Sequence, residues 1–310
     1  MEKSDLIWMN GDFVPWDEAN VHVLSHGLHY GTGVFEGVRA YDTELGTAVF
    51  RHREHLARLA RSAAFYELEL PYDVETLREA TLELIRRNQL DSCYIRPLAF
   101  RGYGEMGLNA RSAPVEVIIA AWPWGTYLGE EGKLNGIRAK VSTWRRHSPD
   151  SVETQAKASG HYLNSILAKQ DSVGAGYDEA IMLDQRGMVS EGSGENIFIV
   201  QDGVVVTPAE GSGILVGITR ASVIQIARDL GYTVVERDVA PEELYQADEV
   251  FVTGTAAELV PVREINEHAY GAPGEVTAQL LAKFEDALHG RASEYVDWLD
   301  VVEQPSKVTS

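Results

Sequence analysis

A short run of residues, Ser190 to Phe198, constrains this chain more than any other segment. It reads Ser-Glu-Gly-Ser-Gly-Glu-Asn-Ile-Phe, so a carboxylate, Glu191, stands before a glycine-rich turn that leads into an apolar strand. Glycines permit the tight backbone of such a turn, and an apolar strand belongs in a protein interior. Burying a carboxylate there costs several kcal/mol unless another group pairs with it. The run therefore predicts a buried strand beside a charge that has a partner.

Lys157 is the residue that, together with Glu191, indicates a particular chemistry. Of seven lysines, it alone is followed by the small residues Ala158-Ser159-Gly160 and then by a segment with helical spacing. A lysine that forms a Schiff base and a carboxylate that keeps a pyridine nitrogen protonated are the two ends of a pyridoxal phosphate site. The pair favours this cofactor, although the spacing of Lys157 alone also fits an ordinary surface lysine.

Two glycine turns offer places for anions. Thr219 follows Gly217 and Ile218, and it is expected to cap a helix predicted to reach Leu230, whose N–H groups would face an anion. Residues 252–258 repeat the pattern of strand, glycine and hydroxyl groups. One turn suits a phosphate and the other a substrate carboxylate. Arg58 lies in a predicted helix and could supply a cationic partner or could face solvent.

Length and charge bound the class of protein. A chain of 310 residues exceeds one usual core and favours two domains. Its 47 carboxylates against 27 basic residues give a net charge of −20, which argues against nucleic acid and anionic membranes as partners. The single cysteine, Cys93, excludes an internal disulfide. We find no signal peptide and no apolar run of membrane-spanning length, and we expect a cytoplasmic protein.

Hydrophobic periodicity predicts a mixed α/β protein with two domains. We expect a small N-terminal domain at 1–122, a linker at 123–134 and a larger cofactor-binding domain with a C-terminal tail at 135–310. The tail after Trp298 is expected to be irregular. Asn10-Gly11 predicts a hairpin turn. The predicted helices are Arg53–Phe65, Val74–Arg87, Gly160–Gln170, Thr219–Leu230 and Thr277–Leu288. The predicted strands are Tyr94–Leu98, Val115–Ala121, Gly136–Trp144, Glu179–Leu183, Ile197–Val200, Val204–Thr207, Thr233–Arg237 and Glu249–Thr253.

Two rival motifs are weaker. His22, His26 and His29 have the spacing of metal ligands on one helix face, but Val21–Leu24 is predicted to be a strand, and packed or hydrogen-bonded histidines are favoured. Gly31 to Gly37 resembles a dinucleotide loop, but its third glycine is one position late and no apolar strand precedes it. We therefore expect no metal and no dinucleotide.

Several segments together resemble the branched-chain amino acid aminotransferases, which belong to the class IV (D-amino acid aminotransferase-like) pyridoxal phosphate enzymes. The resemblance is collinear over about residues 6–300, and its most specific part is the Glu-Gly-Ser-Gly-Glu-Asn turn. The other matching segments are Val21–Gly31, Val34–Arg39, Phe50–Leu56, Tyr94–Leu98 and Thr253–Pro261. It implies the two-domain class IV fold, with a small N-terminal α/β domain and a larger C-terminal pseudo-barrel domain.

The resemblance also implies roles for individual residues. Lys157 matches the Schiff-base lysine, Glu191 the partner of the pyridine nitrogen, and Tyr162 the phenol beside the cofactor O3′. The phosphate is expected at Arg58, Ile218, Thr219 and Thr255. The substrate α-carboxylate is expected at Tyr94 and the backbone of Thr255-Ala256, and the rest of the substrate pocket at Tyr30, Phe35, Gly37, Arg39, Arg96, Trp124 and Tyr127.

The implied reaction is transamination of L-leucine, L-isoleucine and L-valine with 2-oxoglutarate, giving branched 2-oxo acids and L-glutamate. The resemblance further implies at least a homodimer, with a hexamer left open, in which the loop Arg101–Pro114 reaches the neighbouring subunit's pocket. Other class IV activities remain open, namely a D-amino acid or (R)-amine transaminase and an aminodeoxychorismate lyase. A non-catalytic phosphate-binding protein is a further alternative, but it gives no reason for pairing Lys157 with Glu191.

Overall fold

The computed structural model describes residues 2–125 and 129–303, which form helices and strands in a mixed arrangement. The predicted fold class is confirmed. The helices are α1 (His26–Tyr30), α2 (His52–Phe65), α3 (Val74–Arg87), α4 (Gly129–Asn135), α5 (Tyr162–Gly174), α6 (Ile218–Asp229), α7 (Pro241–Leu244) and α8 (Glu275–Leu288). The strands are β1 (Leu6–Met9), β2 (Asp12–Pro15), β3 (Gly33–Phe35), β4 (Val38–Thr43), β5 (Gly46–Phe50), β6 (Cys93–Arg101), β7 (Val115–Trp122), β8 (Ile137–Arg145), β9 (Glu179–Leu183), β10 (Val189–Gly192), β11 (Asn196–Gln201), β12 (Val204–Thr207), β13 (Val234–Glu236), β14 (Glu249–Gly254), β15 (Glu258–Ile265), β16 (His268–Ala269) and β17 (Leu299–Val301).

The described residues group into two compact units. The first contains those of Met1–Trp124, Ala156–Gly160 and Asp286–Ser310, and the second contains those of Gly125–Gln155 and His161–Glu285. The first unit is therefore made of three separate stretches of chain. Lys157 belongs to it, although Lys157 lies far beyond the predicted linker.

An antiparallel sheet is the frame of the first unit. Its strands run in the order β17-β5-β4-β6-β7-β1-β2, and β3 pairs with the far end of β6. The apolar faces of α2 and α3 pack on it, and Leu56, Leu59 and Leu77 are buried against Ile95 and Ile119 of the sheet. Burial of such side chains contributes roughly 1.5–3 kcal/mol each. Helix α2 is thereby fixed on the sheet, which matters because α2 carries Arg58.

The hairpin turn predicted at Asn10-Gly11 is present. Asn10 and Gly11 have φ angles of 51° and 101°, and they join β1 to β2. A two-residue turn of this kind needs positive φ at both positions, which asparagine and glycine tolerate best.

The second unit is built on a mixed sheet in the order β10-β9-β8-β15-β14-β11-β12-β13. Three neighbouring pairs are parallel: β8 with β9, β8 with β15, and β12 with β13. The run that follows Glu191 becomes β11, a central strand in which Asn196 to Val200 are buried. The buried strand predicted after the glycine-rich turn is thus present.

Two expectations about local structure are wrong. Val21–Leu24 is not a strand, because the His22 side chain accepts a hydrogen bond from the Leu24 N–H and its carbonyl accepts one from Ser25, which closes a turn. The chain after Trp298 is not irregular at first, because Leu299–Val301 forms β17 on the edge of β5. Within the described residues, no helix is long and apolar enough to cross a membrane.

Candidate active site

The backbone of Lys157 is held on both sides within the first unit. Its N–H donates to Ser62 Oγ on α2 at 3.0 Å, and its carbonyl accepts from the Phe35 N–H at 3.0 Å. The side chain is half-buried, and its Nζ lies 5.2 Å from the centroid of the Phe35 ring. The predicted lysine is therefore a fixed residue that contacts one of the predicted substrate residues.

Arg58 is buried rather than solvated, and it is paired with a residue that the sequence analysis did not assign. Its Nε and Nη2 donate to the two carboxylate oxygens of Glu36 at 2.7 and 2.8 Å, and His55 Nδ1 lies 2.7 Å from Glu36 Oε2. Burial raises the pKa of Glu36, but the charge and hydrogen bonds of Arg58, together with those of His55, outweigh it and leave that pKa well below its ordinary value. The pKa of His55 lies below its ordinary value, chiefly because of burial, with Arg58 and Lys157 adding to the effect and Glu36 opposing it.

An aromatic cluster in the first unit contains several predicted substrate residues. The Arg96 guanidinium lies 4.6 Å from the Phe35 ring centroid and 5.3 Å from that of Tyr94, and its Nη2 donates to Tyr94 Oη at 3.2 Å. The Tyr94 ring also packs against Trp122 and Trp124. Gly37 has to be glycine here, since a Cβ at this position would overlap Tyr94 Oη.

Other predicted pocket residues have different neighbours. The ring of Tyr30 is half exposed and stacks on His26 at 4.4 Å, and the Arg39 guanidinium lies 4.9 Å from the Tyr41 ring centroid. Tyr127 lies outside the described residues.

In the second unit, Glu191 is buried and has the partner that its position requires. Its Oε1 is 2.8 Å from Nη2 of Arg146, which is equally buried, and its Oε2 accepts from Asn196 Nδ2 at 3.0 Å and from the Leu215 N–H at 3.1 Å. Three donors therefore fix the plane of the carboxylate.

A second buried carboxylate group fixes the glycine-rich turn. Glu179 accepts hydrogen bonds from the Ser193 N–H and Oγ at 3.2 and 2.5 Å, and from Lys169 Nζ at 2.6 Å. The Gly192 N–H donates to the Glu195 carbonyl and closes the turn. Burial, and then the charge of Glu179, raise the pKa of Glu195 well above its ordinary value, whereas Lys169 opposes them.

The predicted phosphate helix is present, but its cap differs. Helix α6 begins at Ile218, and its N-cap is Gly217, so Thr219 lies inside the first turn and does not cap it. Among the described residues, no side chain caps these N–H groups through a hydrogen bond, and the positive end of the helix dipole lies here. Thr255 and Ala256 lie in the turn between β14 and β15, and Tyr162 begins α5.

The three spaced histidines are hydrogen-bonded, as predicted. His26 bonds to Thr32 Oγ1 and to the Gly107 carbonyl, each at 2.7 Å, and His29 bonds to the Val23 carbonyl at 2.8 Å. In the part of the chain that the structure describes, no group of three or more histidine, cysteine or acidic side chains is arranged to hold a metal ion.

Comparison with known proteins decides what these residues have in common. The family model described as amino-transferase class IV matches residues 33–265, which include Lys157, Glu191 and both anion turns. The chain belongs to the class IV aminotransferases. Enzymes of this family depend on pyridoxal 5′-phosphate.

The relatives of this class IV aminotransferase match it over nearly its whole length. It is 46% identical to the branched-chain-amino-acid aminotransferase of Pseudomonas aeruginosa, over 97% of this chain and 98% of that protein. It is 47% identical to that of Escherichia coli K12, over 98% of this chain and 99% of that protein.

A solved structure of a similar enzyme has the same fold. The Escherichia coli branched-chain amino acid aminotransferase superposes with a TM-score of 0.95 at 47% identity, covering 97% of this chain and all of the other. The agreement extends over both units of the chain, since nearly every residue has a counterpart in that structure.

The residues of this class IV aminotransferase fit the family's cofactor. The uncapped start of α6 suits a phosphate group, and the fixed Glu191 suits a protonated ring nitrogen. Sequence reasoning missed Arg146 and Glu36. The signal for Glu36 was a lone carboxylate between Phe35 and Gly37, and the signal for Arg146 was a cation at the end of the strand before Lys157.

Proposed function

We propose that this class IV aminotransferase catalyses transamination of L-leucine, L-isoleucine and L-valine with 2-oxoglutarate. One observation carries the proposal: the chain is 46% and 47% identical, over nearly its full length, to relatives that bear the name branched-chain-amino-acid aminotransferase. The arrangement of Phe35, Tyr94 and Arg96 supports it, because aromatic walls suit aliphatic side chains and an arginine suits the second carboxylate of glutamate.

Lys157 and Glu191 carry the reaction in this proposal. The bound cofactor supplies a ring that accepts the electrons released when the substrate α-carbon loses its proton. With the cofactor bound, the Lys157 amine would be the base that takes up this proton and the acid that gives it back. Glu191 holds the proton on the ring nitrogen, because its charge is fixed in place by Arg146, Asn196 and the Leu215 N–H. The Tyr162 phenol is assigned to the cofactor O3′.

The remaining residues bind and orient. Arg58, Ile218, Thr219 and Thr255 are assigned to the cofactor phosphate. Tyr94 and the backbone of Thr255 and Ala256 are assigned to the substrate α-carboxylate, and Tyr30, Gly37, Arg39, Trp124 and Tyr127 to the rest of the substrate pocket. An acidic chain of net charge −20 repels anions at long range, so these local donors have to supply the attraction.

Lys157→Ala is the direct test of the chemistry. We expect it to remove the visible absorbance of the lysine-bound cofactor and to lower turnover by at least the roughly 10²–10⁴-fold that general acid–base groups contribute. Lys140→Ala is the control, since Lys140 pairs with Asp171 on the surface. Unchanged turnover in the Lys157 variant would reject the assignment.

A panel of amino donors at fixed 2-oxoglutarate tests the substrate class. We expect L-leucine, L-isoleucine and L-valine to react and D-alanine and (R)-amines to fail. Preference for D-alanine or for an (R)-amine would instead support another class IV activity, and turnover of aminodeoxychorismate would support the lyase.

We further propose that the protein acts as at least a homodimer, with the loop Arg101–Pro114 next to the partner's substrate pocket. Leu108 in this loop is 96% exposed, and Leu28 and Tyr103 of the same unit are also exposed, which favours a covered apolar surface. Light scattering on the purified protein distinguishes monomer, dimer and hexamer, and a monomer that retains full turnover would contradict the proposal.

A further inference from the structure

Glu36 is completely buried, and its carboxylate is hydrogen-bonded to Arg58 and to His55. The bonds from Arg58 Nε and Nη2 to its two oxygens are parallel and about equal in length, at 2.7 and 2.8 Å, and His55 Nδ1 adds a third donor at 2.7 Å. Such a bidentate pair fixes the plane of a guanidinium as well as its position.

This pairing determines which donors of Arg58 point elsewhere. Glu36 accepts hydrogen bonds from the Nε–H and from one N–H of Nη2. The Nη1 group and the second N–H of Nη2 therefore point away from Glu36. Without this pairing the Arg58 side chain would not be held in one orientation. Each binding event would then have to order it, which costs free energy of binding.

We propose that Glu36 is a positioning residue for the cofactor phosphate, acting through Arg58. The proposal rests on the assignment of Arg58 to the phosphate made above. A buried arginine without a carboxylate would keep its charge but not its direction, and preorganised donors bind an anion more tightly than donors that must be ordered. Glu36 thereby raises the affinity for the phosphate although it carries the same sign of charge.

The position of Glu36 in the chain extends its effect. It follows Phe35 directly, and the Phe35 N–H donates to the carbonyl of Lys157. On the other side, α2 carries both Arg58 and Ser62, and Ser62 Oγ accepts from the Lys157 N–H. A single buried ion pair therefore connects the two backbone segments that hold the reactive lysine.

The same unit contains a matched control. The Asp300 carboxylate accepts hydrogen bonds from Nε and Nη2 of Arg78, each at 2.6 Å, and lies 2.9 Å from His52 Nδ1. This is the same combination of groups as Glu36 with Arg58 and His55. His52 and His55 both lie on α2. Asp300 belongs to β17 and has no assigned contact with the cofactor or the substrate, so its loss affects stability alone.

The test compares two cofactor forms that differ in the phosphate only. The full-length chain, freed of cofactor, is titrated with pyridoxal 5′-phosphate and with pyridoxal, and the ratio of the two dissociation constants measures phosphate recognition. We expect Glu36→Gln to lower this preference for the phosphorylated form about tenfold and Glu36→Asp to lower it about threefold. Asp300→Asn and Asp300→Glu are expected to leave the ratio unchanged while lowering the unfolding midpoint.

The Arg58→Leu variant distinguishes failure of the Glu36 proposal from failure of the assignment of Arg58 to the phosphate. If Arg58→Leu lowers the ratio but the Glu36 variants do not, the role of Glu36 is refuted and the assignment of Arg58 stands. If Arg58→Leu leaves the ratio unchanged, the assignment of Arg58 is refuted and the proposal for Glu36 with it. Should Glu36→Gln fail to fold, Glu36→Asp against Asp300→Glu decides the matter, and equal ratios would overturn the proposal.

Discussion

Arg146 and Glu191 form a buried ion pair, with Nη2 of the arginine 2.8 Å from Oε1 of the carboxylate and each residue 6% exposed. The charge that made Glu191 conspicuous in the sequence is thus balanced inside the second unit by a residue that lies before Lys157 in the chain. Two further donors bind the other oxygen. Glu191 is consequently fixed in orientation by the protein itself.

Replacing Arg146 by methionine should weaken cofactor binding and destabilise the second unit. Removal of one partner leaves a buried charge without its counter-ion, which costs about 3–5 kcal/mol. The dissociation constant for pyridoxal 5′-phosphate and the unfolding midpoint report the two effects. Arg138→Met is the control, because Arg138 pairs with Glu264 on a more exposed surface. Equal behaviour of the two variants would show that the Arg146 pair does not support Glu191.

Gly217→Ala should disturb both the phosphate helix and the support of Glu191. A Cβ at Gly217 would overlap Asn196 Oδ1, and the Asn196 amide is the group that donates to Glu191 Oε2. Because either the asparagine or the start of α6 has to shift, we expect an increase of about tenfold or more in the cofactor dissociation constant. Gly211→Ala is the matched control, since its Cβ would meet nothing within 4 Å. Identical affinities would mean that the site absorbs the added methyl group.

Arg96→Leu should separate the two substrates. The Arg96 guanidinium stacks on the rings of Phe35 and Tyr94 and donates a hydrogen bond to Tyr94. In the proposed pocket, an aliphatic substrate side chain would contact the aromatic rings, and the second carboxylate of 2-oxoglutarate would bind the guanidinium. We expect kcat/KM for 2-oxoglutarate to fall about 100-fold, because a site built for a polar group discriminates strongly when the pairing is lost. The values for branched 2-oxo acids should change by only a few fold. Equal losses would remove the proposed role.

Glu195→Gln should reduce the dependence of stability on pH. The raised pKa of Glu195 means that the folded state holds the proton more tightly than the unfolded state, whose glutamate pKa is about 4.3. This contribution is present below that value and is lost as the pH rises towards the folded pKa. Glutamine imitates the protonated acid and has no proton to lose. Relative to the parent protein, the variant should therefore gain stability as the pH rises above about 4.3.

Thermal unfolding at a series of pH values checks this prediction. Glu210→Gln, at an exposed position, provides the control for removal of one negative charge. A stability difference between the Glu195 variant and the parent that stays constant with pH would show that folding does not raise the pKa of Glu195.

Local signals account for the part of the structure that the sequence predicted well. The turn at Asn10-Gly11 and the helix from Val74 to Arg87 depend on neighbouring residues, and both are present. The predicted start of α6 was less accurate, because a glycine N-cap has no side chain to signal it. The buried strand after Glu191 was visible because an uninterrupted apolar run, Ile197–Val200, comes shortly after the glycines.

Long-range pairing accounts for what the sequence did not reveal. Arg146 and Glu191 are joined only after β8, β9 and β10 assemble, and no spacing in the chain indicates it. Arg58 was placed on a helix correctly, but it is paired with Glu36, which lies between β3 and β4 and is distant in the sequence. The prediction for the residues after Trp298 failed for the same reason, since Leu299–Val301 becomes a strand only through its partner β5.

The edge strand β17 has a consequence for how the protein is made. The first unit takes most of its residues from the start of the chain, yet its sheet is completed by residues that leave the ribosome after all of the second unit. Until then the edge of β5 has no strand beside it, and His52 and Arg78 have no Asp300 to bind. An open strand edge is a site for wrong pairing between chains. Nascent chains cut short before Leu299 should therefore aggregate through β5, and chains that contain β17 should not.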